Sequence, residues 1–237
     1  MFFLYSIILT VAFLVLLPRF IFDAIFKGKY AAGFTQRLGF LPPFEQDGRP
    51  VIWVHCVSVG ETNAARPLIQ QLADSLPPFR LIVSTTTRTG QELARQVFND
   101  NAELVFYFPF DWKFSVRRAL RRFAPTAVML LETEIWFNFL REANKSGAKV
   151  AIVNGRISER SYKRFGYIKN FMRRVLSYPD LALMQTNLDA KRLMALGMRA
   201  TKVKVTGNMK FDQPDGGDAA LAEEFRIRFG ITGDVPL

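Results

Sequence analysis

Cysteine and histidine are almost missing: the 237 residues hold one of each, side by side as His55 and Cys56. That excludes a disulfide framework and any zinc site built on Cys/His clusters. Such sparse cysteine fits a reducing compartment. Acidic residues are also scarce, 21 against 32 Lys and Arg, which leaves a formal charge of +11. Something anionic must lie nearby: nucleic acid, a membrane surface or a phosphorylated substrate. There is no internal repeat and no low-complexity tract. At 22% charged residues the chain is no polytopic membrane protein, and 49% apolar residues with 23 Phe exclude disorder. The length suits one large domain or two small ones, enough to bury a proper core.

Charge is wholly absent from Phe2 to Leu17, and Pro18, Arg19, Lys27, Lys29 and Arg37 come after. A secretory signal needs basic residues before the apolar run and small residues at a cleavage site after it, and neither is present. As a helix the run reaches about 24 Å, short of the roughly 30 Å hydrocarbon core. It is expected to span a thinned bilayer, or to lie partly embedded with Phe20, Ile21 and Phe22 extending its surface. An ordinary buried helix is the alternative, but so uniform a run needs cover on every side. The basic residues after it put the remaining chain on the cytoplasmic side. Residues 1–26 thus read as a membrane anchor and 27–50 as a basic connector.

From residue 51 onward short apolar runs recur: Val51–Cys56, Leu81–Thr85, Leu104–Phe108, Ala127–Leu131, Val150–Val153, Leu181–Gln185 and Val203–Val205. Short, β-branched and apolar on both faces, they read as buried parallel strands. Between them lie amphipathic stretches of helical length: Ala64–Ser75, Thr89–Phe98, Phe114–Phe123, Trp136–Ser146, Tyr162–Leu176 and Leu188–Leu196. This alternation specifies an α/β, doubly wound, Rossmann-like parallel sheet over residues 51–212. Ligands of such sheets bind at the carboxyl ends of the strands. Asp212–Asp218 reads as a linker, Ala219–Phe229 as one more helix, and Val235-Pro236-Leu237 as the opening of a further strand, so residues 213–237 look like the start of a second domain.

Four segments sit just after strands, on that edge. Val57-Ser58-Val59-Gly60-Glu61 places a Gly turn and a carboxylate at a helix start. Glu61 is either a capping residue or a proton acceptor whose pKa the helix dipole is expected to lower. Glu132-Thr133-Glu134-Ile135-Trp136 puts two carboxylates directly after a strand, with Thr133 and Glu134 suited to open the next helix. Asn154-Gly155-Arg156-Ile157-Ser158 and Gly207-Asn208-Met209-Lys210-Phe211-Asp212 complete the set, each a weak turn signal alone. Two basic clusters stand apart, Lys113, Arg117, Arg118, Arg121 and Arg122, then Arg160, Lys163, Arg164, Lys169, Arg173 and Arg174. No helix-turn-helix, RNP pattern or zinc finger accompanies them, and with an apolar anchor in the same chain anionic lipid is the simpler partner. His55 and Cys56 read as strand-end packing residues.

An apolar N-terminus followed in order by WVHCVSVGE (Trp53–Glu61), LETEIW (Leu131–Trp136), NGRIS (Asn154–Ser158) and GNMKFD (Gly207–Asp212) resembles the 3-deoxy-D-manno-octulosonic acid (Kdo) transferases of lipopolysaccharide assembly. The resemblance implies the N-terminal half of a GT-B glycosyltransferase of the inner membrane, holding the lipid A precursor (lipid IVA), with CMP-Kdo as donor on the other half. By the same resemblance Glu61 is the catalytic base, Glu132 and Lys210 assist at the transition state, and Ser58, Gly60, Asn154, Arg156 and Ser158 hold substrate. No cofactor or metal is implied beyond the donor substrate. The CMP-binding half is expected beyond Leu237, so that this half alone is inactive. The competing class is a non-catalytic membrane-surface module that binds phosphorylated lipid. A nucleic-acid-binding protein is favoured by charge alone and opposed by the anchor.

Overall fold

The computed structural model describes residues 1–27 and 33–211. The expected linker at Asp212–Asp218, the helix from Ala219 and the strand at Val235 lie outside the described residues, as does the 28–32 stretch of the connector.

Seven strands form one sheet: β1 (Val51–Cys56), β2 (Arg80–Thr85), β3 (Ala102–Tyr107), β4 (Ala127–Leu131), β5 (Lys149–Gly155), β6 (Leu181–Met184) and β7 (Val203–Val205). Their order is β3-β2-β1-β4-β5-β6-β7 and every pairing is parallel. The helices are α1 (Phe2–Lys27), α2 (Phe34–Arg37), α3 (Val59–Ser75), α4 (Arg88–Val97), α5 (Lys113–Phe123), α6 (Phe137–Lys145), α7 (Glu159–Gly166), α8 (Lys169–Val175) and α9 (Asn187–Leu196). The doubly wound sheet read from the sequence is therefore present.

Strand β1 shows why the order closes. All six of its residues are buried, and they alternate between two cores. Val51 and Trp53 join the side chains of α5, α6 and α8; Ile52, Val54 and Cys56 join those of α3 and α4. This is the period of two expected of a strand covered on both faces. Phe explains much of the first core: Trp53 packs against Phe106, Phe108, Phe123 and Phe139 at 5.1–6.0 Å between ring centroids. Its indole N–H donates to Ser84 Oγ at 2.7 Å, so the buried donor is satisfied. The connector is part of this body, since Leu41 and Phe44 are buried in the same core.

The single helix expected over Tyr162–Leu176 is two, α7 and α8, separated after Gly166. Their burial differs: α7 has no buried residue, whereas α8 buries Phe171, Met172 and Val175. One straight helix cannot keep both faces where packing needs them, and Gly is the weakest link for the break.

Helix α1 is longer than the uncharged run, because it passes Pro18 and Arg19. Its apolar stretch, Phe2–Phe22, has 21 residues, long and apolar enough to cross a membrane by length and composition. At 1.5 Å per residue that is roughly 32 Å. One side of its first half is docked on the body. Phe2 enters the core and meets Phe171 edge-on at 5.1 Å; Tyr5 donates to Asp111 Oδ2 at 2.9 Å. Trp112 Nε1 donates to Thr10 Oγ1 at 3.0 Å, and Phe13 packs on Trp112 at 4.9 Å. The other side, with Phe3, Leu4, Ile7, Ile8, Val11, Leu14 and Val15, is exposed. The helix is thus neither wholly buried nor free of the body.

Asp111 is the hinge of this docking. It is 2% exposed, and besides Tyr5 it accepts from the backbone N–H of Asn138 (3.0 Å) and of Phe139 (2.7 Å). Those are free donors of the first turn of α6, whose own N-cap residue, Trp136, makes no side-chain cap bond. A residue 26 positions upstream of the helix therefore caps it. Asp111→Ala orphans both donors and the Tyr5 hydroxyl, and is expected to lower stability by about 2–4 kcal/mol. Urea unfolding measures this; an unchanged midpoint would show that the cap contributes nothing.

Candidate active site

Going from β1 to β4 the sheet reverses its direction of growth, and the segments after these two strands leave for opposite faces: α3 packs on one core, α6 on the other. The crevice between them is the switch point at which open α/β sheets take ligands. Glu61 follows β1 and Glu132 follows β4, so both face this crevice's rim from adjacent strands.

Helix α3 begins at Val59, five residues earlier than its apolar periodicity suggests. Gly60 is therefore not a turn but the second helical residue, and a Cβ there would meet nothing within 4 Å. Glu61 is the third helical residue and Ser58 the N-cap, the spacing of a capping box. The carboxylate reaches back to the Val57 N–H at 2.7 Å and accepts from the Ser58 hydroxyl at 3.3 Å. One oxygen is tightly held and the other loosely.

The expected lowering of the Glu61 pKa is overturned. Burial pushes it up from 4.5 to about 7. The Val57 N–H opposes this, the negative charges of Glu132 and Glu134 add to it, and the Ser58 bond opposes it again. Glu61 is 6% exposed, and at that depth loss of hydration outweighs the two hydrogen bonds that favour its charge. Glu134 is raised as well, by burial and then by Glu132. Three carboxylates thus press on one another.

Glu132 does not open a helix; α6 starts only at Phe137, and neither Thr133 nor Glu134 caps it. Instead Glu132 holds a left-handed backbone, φ +52°, with its N–H bonded to the Val153 carbonyl at 2.9 Å. Thr133 ties this turn to the next strand's loop: its hydroxyl donates to the Arg156 carbonyl and accepts from the Arg156 N–H (2.8 Å). Lys210 Nζ stands 3.7 Å from Glu132 Oε1, on a 3-10 turn (Met209–Phe211) that packs against α3. Asn154, 1% exposed and also left-handed (φ +56°), holds that turn by accepting from the Met209 N–H at 3.1 Å. Its Nδ2 has no partner.

The structure thus gathers Ser58, Glu61, Glu132, Asn154 and Lys210 around one crevice. Arg156 is exposed beside Thr133 and keeps its side chain out of any ion pair among the described residues. Ser158 is the exposed N-cap of α7, accepting from the Ser161 N–H at 3.2 Å. Sequence reasoning missed Thr133 as a clamp and Asp189, which accepts from the Ile157 N–H at 2.7 Å and fixes the same loop. The Thr186–Asp189 spacing marks a helix start; nothing local marks its second bond. His55 is fully buried, stacked on Phe108 at 3.9 Å, with Nδ1 on Ser84, and burial lowers its pKa to about 3. It is a packing residue, as expected. No three His, Cys, Asp or Glu side chains converge as a metal-binding group among the described residues.

A sequence profile described as 3-Deoxy-D-manno-octulosonic-acid transferase (kdotransferase) matches residues 32–213. The 3-deoxy-D-manno-octulosonic acid transferase of Chlamydia trachomatis serovar D is 35% identical over 207 residues, which is 87% of this chain and 48% of that protein. The Haemophilus influenzae enzyme of the same name is 33% identical over 184 residues, 78% and 43%. The chain spans about half the length of the curated relatives it matches. Among solved structures, the Neisseria meningitidis UDP-GlcNAc 2-epimerase is similar with a TM-score of 0.53 at 14% identity, covering 78% of this chain and 55% of that one. At that identity the likeness concerns the fold alone.

The Glu61 shift predicts a pH dependence of stability. The folded state favours the protonated carboxyl, so its contribution is complete below pH 4.5 and is lost as pH rises to about 7. Glu61→Gln, which cannot ionise, should raise the melting temperature relative to wild type at pH 8 by a few degrees and change little at pH 4. Calorimetry at both pH values checks this; equal differences at the two would refute the buried charge.

Proposed function

Because the chain belongs to the 3-deoxy-D-manno-octulosonic acid (Kdo) transferase family, we propose that it forms the acceptor-binding half of an inverting GT-B glycosyltransferase that moves Kdo from CMP-Kdo to lipid IVA. The observation that carries this reading is the buried Glu61 at the switch point, tuned to about pH 7 and faced by Glu132 and Lys210. In the proposed step the loosely held Glu61 oxygen takes the proton of an acceptor hydroxyl. That hydroxyl oxygen bonds to the anomeric carbon of Kdo as the bond to CMP breaks on the opposite face, and CMP leaves with the bonding electrons. A base near pH 7 is ionised often enough to accept the proton and basic enough to be driven by it. Lys210, paired with Glu132, balances negative charge on the Kdo carboxylate or the departing phosphate. Ser58 steadies the base; Gly60 leaves room at the helix start; Asn154, Arg156 and Ser158 line the acceptor side. The CMP-Kdo site is assigned to the part of the relatives that this chain does not span.

Residues 1–26 serve as the membrane anchor on the cytoplasmic face of the inner membrane, and residues 51–212 as the acceptor domain. A groove of about 980 Å3 beside α1 supports this: Phe2, Phe3 and Phe114 stand next to Lys113, Arg118 and Arg121. An apolar floor with a cationic rim suits anionic lipid. The same groove favours the second reading, a lipid-binding module without catalysis.

Two measurements separate them. In a protein completed with its donor half, Glu61→Gln should cut Kdo transfer by about 10²–10⁴-fold with little change in acceptor binding. Wild-type turnover should rise with pH through about 7, a limb the variant lacks. Near wild-type turnover in the variant would remove Glu61 from the mechanism, whereas a completed wild-type protein that transfers no Kdo would favour the module. In vesicle co-sedimentation, binding to anionic lipid should weaken as salt rises, and Arg118→Glu with Arg121→Glu should weaken it further. Salt-independent binding to neutral vesicles would refute the cationic rim.

A further inference from the structure

A second, smaller cavity, about 150 Å3, lies between α1, the loop after β3 and the Glu132–Trp136 segment. Its walls are largely apolar, from Leu9, Phe13, Phe108, Phe110, Trp112 and Trp136, and among the described residues the one cation on them is Arg37. Arg37 ends α2, lies over the Tyr107 ring at 4.6 Å, and donates through Nη2 to the Thr86 carbonyl at 2.6 Å. That uses one of five N–H donors. Two other buried or half-buried arginines are paired with carboxylates: Arg80 grips both Glu103 oxygens, and Arg117 donates to Glu142 at 2.6 Å. No carboxylate pairs with Arg37 among the described residues, and burial pulls its pKa down with only Tyr107 opposing. An arginine held out of water without a counter-charge is costly. Its planar fork matches a phosphate.

Neighbouring polar atoms are also unused. Among the described residues Thr86 Oγ1 has no partner, and neither has Nε2 of His55, which stacks on the cavity wall at Phe108. Asp111 is the one acid on the wall among the described residues. Its oxygens are already taken by Tyr5, Asn138 and Phe139, and burial raises its pKa to about 7, which weakens its repulsion of an anion.

The position of the cavity supplies the ligand's class. The N–H groups of Thr86 and Thr87 both bond to the Val57 carbonyl at 3.2 Å, and the Val57 N–H holds Glu61. Arg37 is thus one residue's width from the loop of the base. The opposite wall belongs to α1, whose outer side is bare and apolar. We propose that this cavity is a phosphate subsite for the sugar headgroup of a membrane-borne acceptor, with Arg37 as its ligand. The phosphate seats on the guanidinium while the acyl chains run along α1 and a sugar hydroxyl reaches the crevice. The identity of the acceptor rests on the transferase reading; the phosphate chemistry of the cavity does not.

Trp112 and Trp136 line the cavity, whereas Trp53 is sealed in the core, so intrinsic fluorescence reports its occupancy. Glucosamine 1-phosphate added to the chain in detergent should give a saturable change that glucosamine does not. Arg37→Gln should weaken that binding by about 10–100-fold, the worth of a charge-assisted bond. Arg37→Lys keeps the charge without the fork and should weaken it by about tenfold; it decides the matter where the Gln variant fails to fold by circular dichroism. A wild-type chain that gives no saturable change, or variants that bind as wild type, would overturn the subsite. Lipid IVA before and after phosphatase treatment separates the two ideas. Phosphate-dependent binding that Arg37→Gln removes supports both. Binding of glucosamine 1-phosphate through Arg37 without any binding of lipid IVA leaves the subsite standing and overturns the acceptor.

Discussion

Two parallel strands, β1 and β4, lie side by side in register, Ile52 opposite Ala127 through His55 opposite Leu130, and end at nearly the same level. Their outgoing chains then part, α3 to one face and α6 to the other. Parallel strands must be covered on both faces, and the chain can cover both only by reversing somewhere. Where it reverses, no helix among the described residues fills the gap at the strand ends. That unfilled gap is why Glu61 and Glu132, separated by some seventy residues in sequence, stand together. The aromatic packing of Trp53 on one side of β1 and the aliphatic packing of Val54 and Ile69 on the other hold the two faces apart.

The local chemistry follows from crowding charge into that gap. Glu61, Glu132 and Glu134 share it, and Lys210 offsets only Glu132 directly. Two non-glycine residues there, Glu132 and Asn154, adopt left-handed backbone, which costs on the order of 1 kcal/mol each and persists only where surroundings enforce it. What enforces it is visible: Val153 takes the Glu132 N–H, Thr133 clamps Arg156, and Asn154 holds Met209. Strain and repulsion are both concentrated at this crevice.

The sheet was readable in the sequence because a strand buried on both faces leaves an unbroken apolar run, as β1, β2 and β4 do. The four strand-end motifs were readable for the same reason, since each starts where such a run stops. What escaped depends on partners remote in sequence. The pKa of Glu61 was misjudged because the helix terminus is local, whereas its burial and the two neighbouring carboxylates come from other segments. The start of α3 was set late because Val59, Gly60 and Glu61 carry no apolar periodicity, although Ser58 and Glu61 have capping spacing. Asp111 and Arg37 gave no signal of these contacts: one acts on α6 and α1, the other on a loop 49 residues away.

The polar residues inside the apolar N-terminal run now have a reason. Tyr5, Ser6 and Thr10 share one side of α1 and bond Asp111, Asn138 and Trp112. Asp111 in turn caps α6, and α6 begins directly after the Glu132–Trp136 segment. Helix α1 is therefore joined, through one buried carboxylate, to the loop that carries Glu132. A shift of α1 would withdraw the Tyr5 hydroxyl and leave Asp111 with less support for its charge, at a group already poised near pH 7. Helix α1 and the crevice are one hydrogen-bonded unit, so moving one disturbs the electrostatics of the other without any change in the sheet.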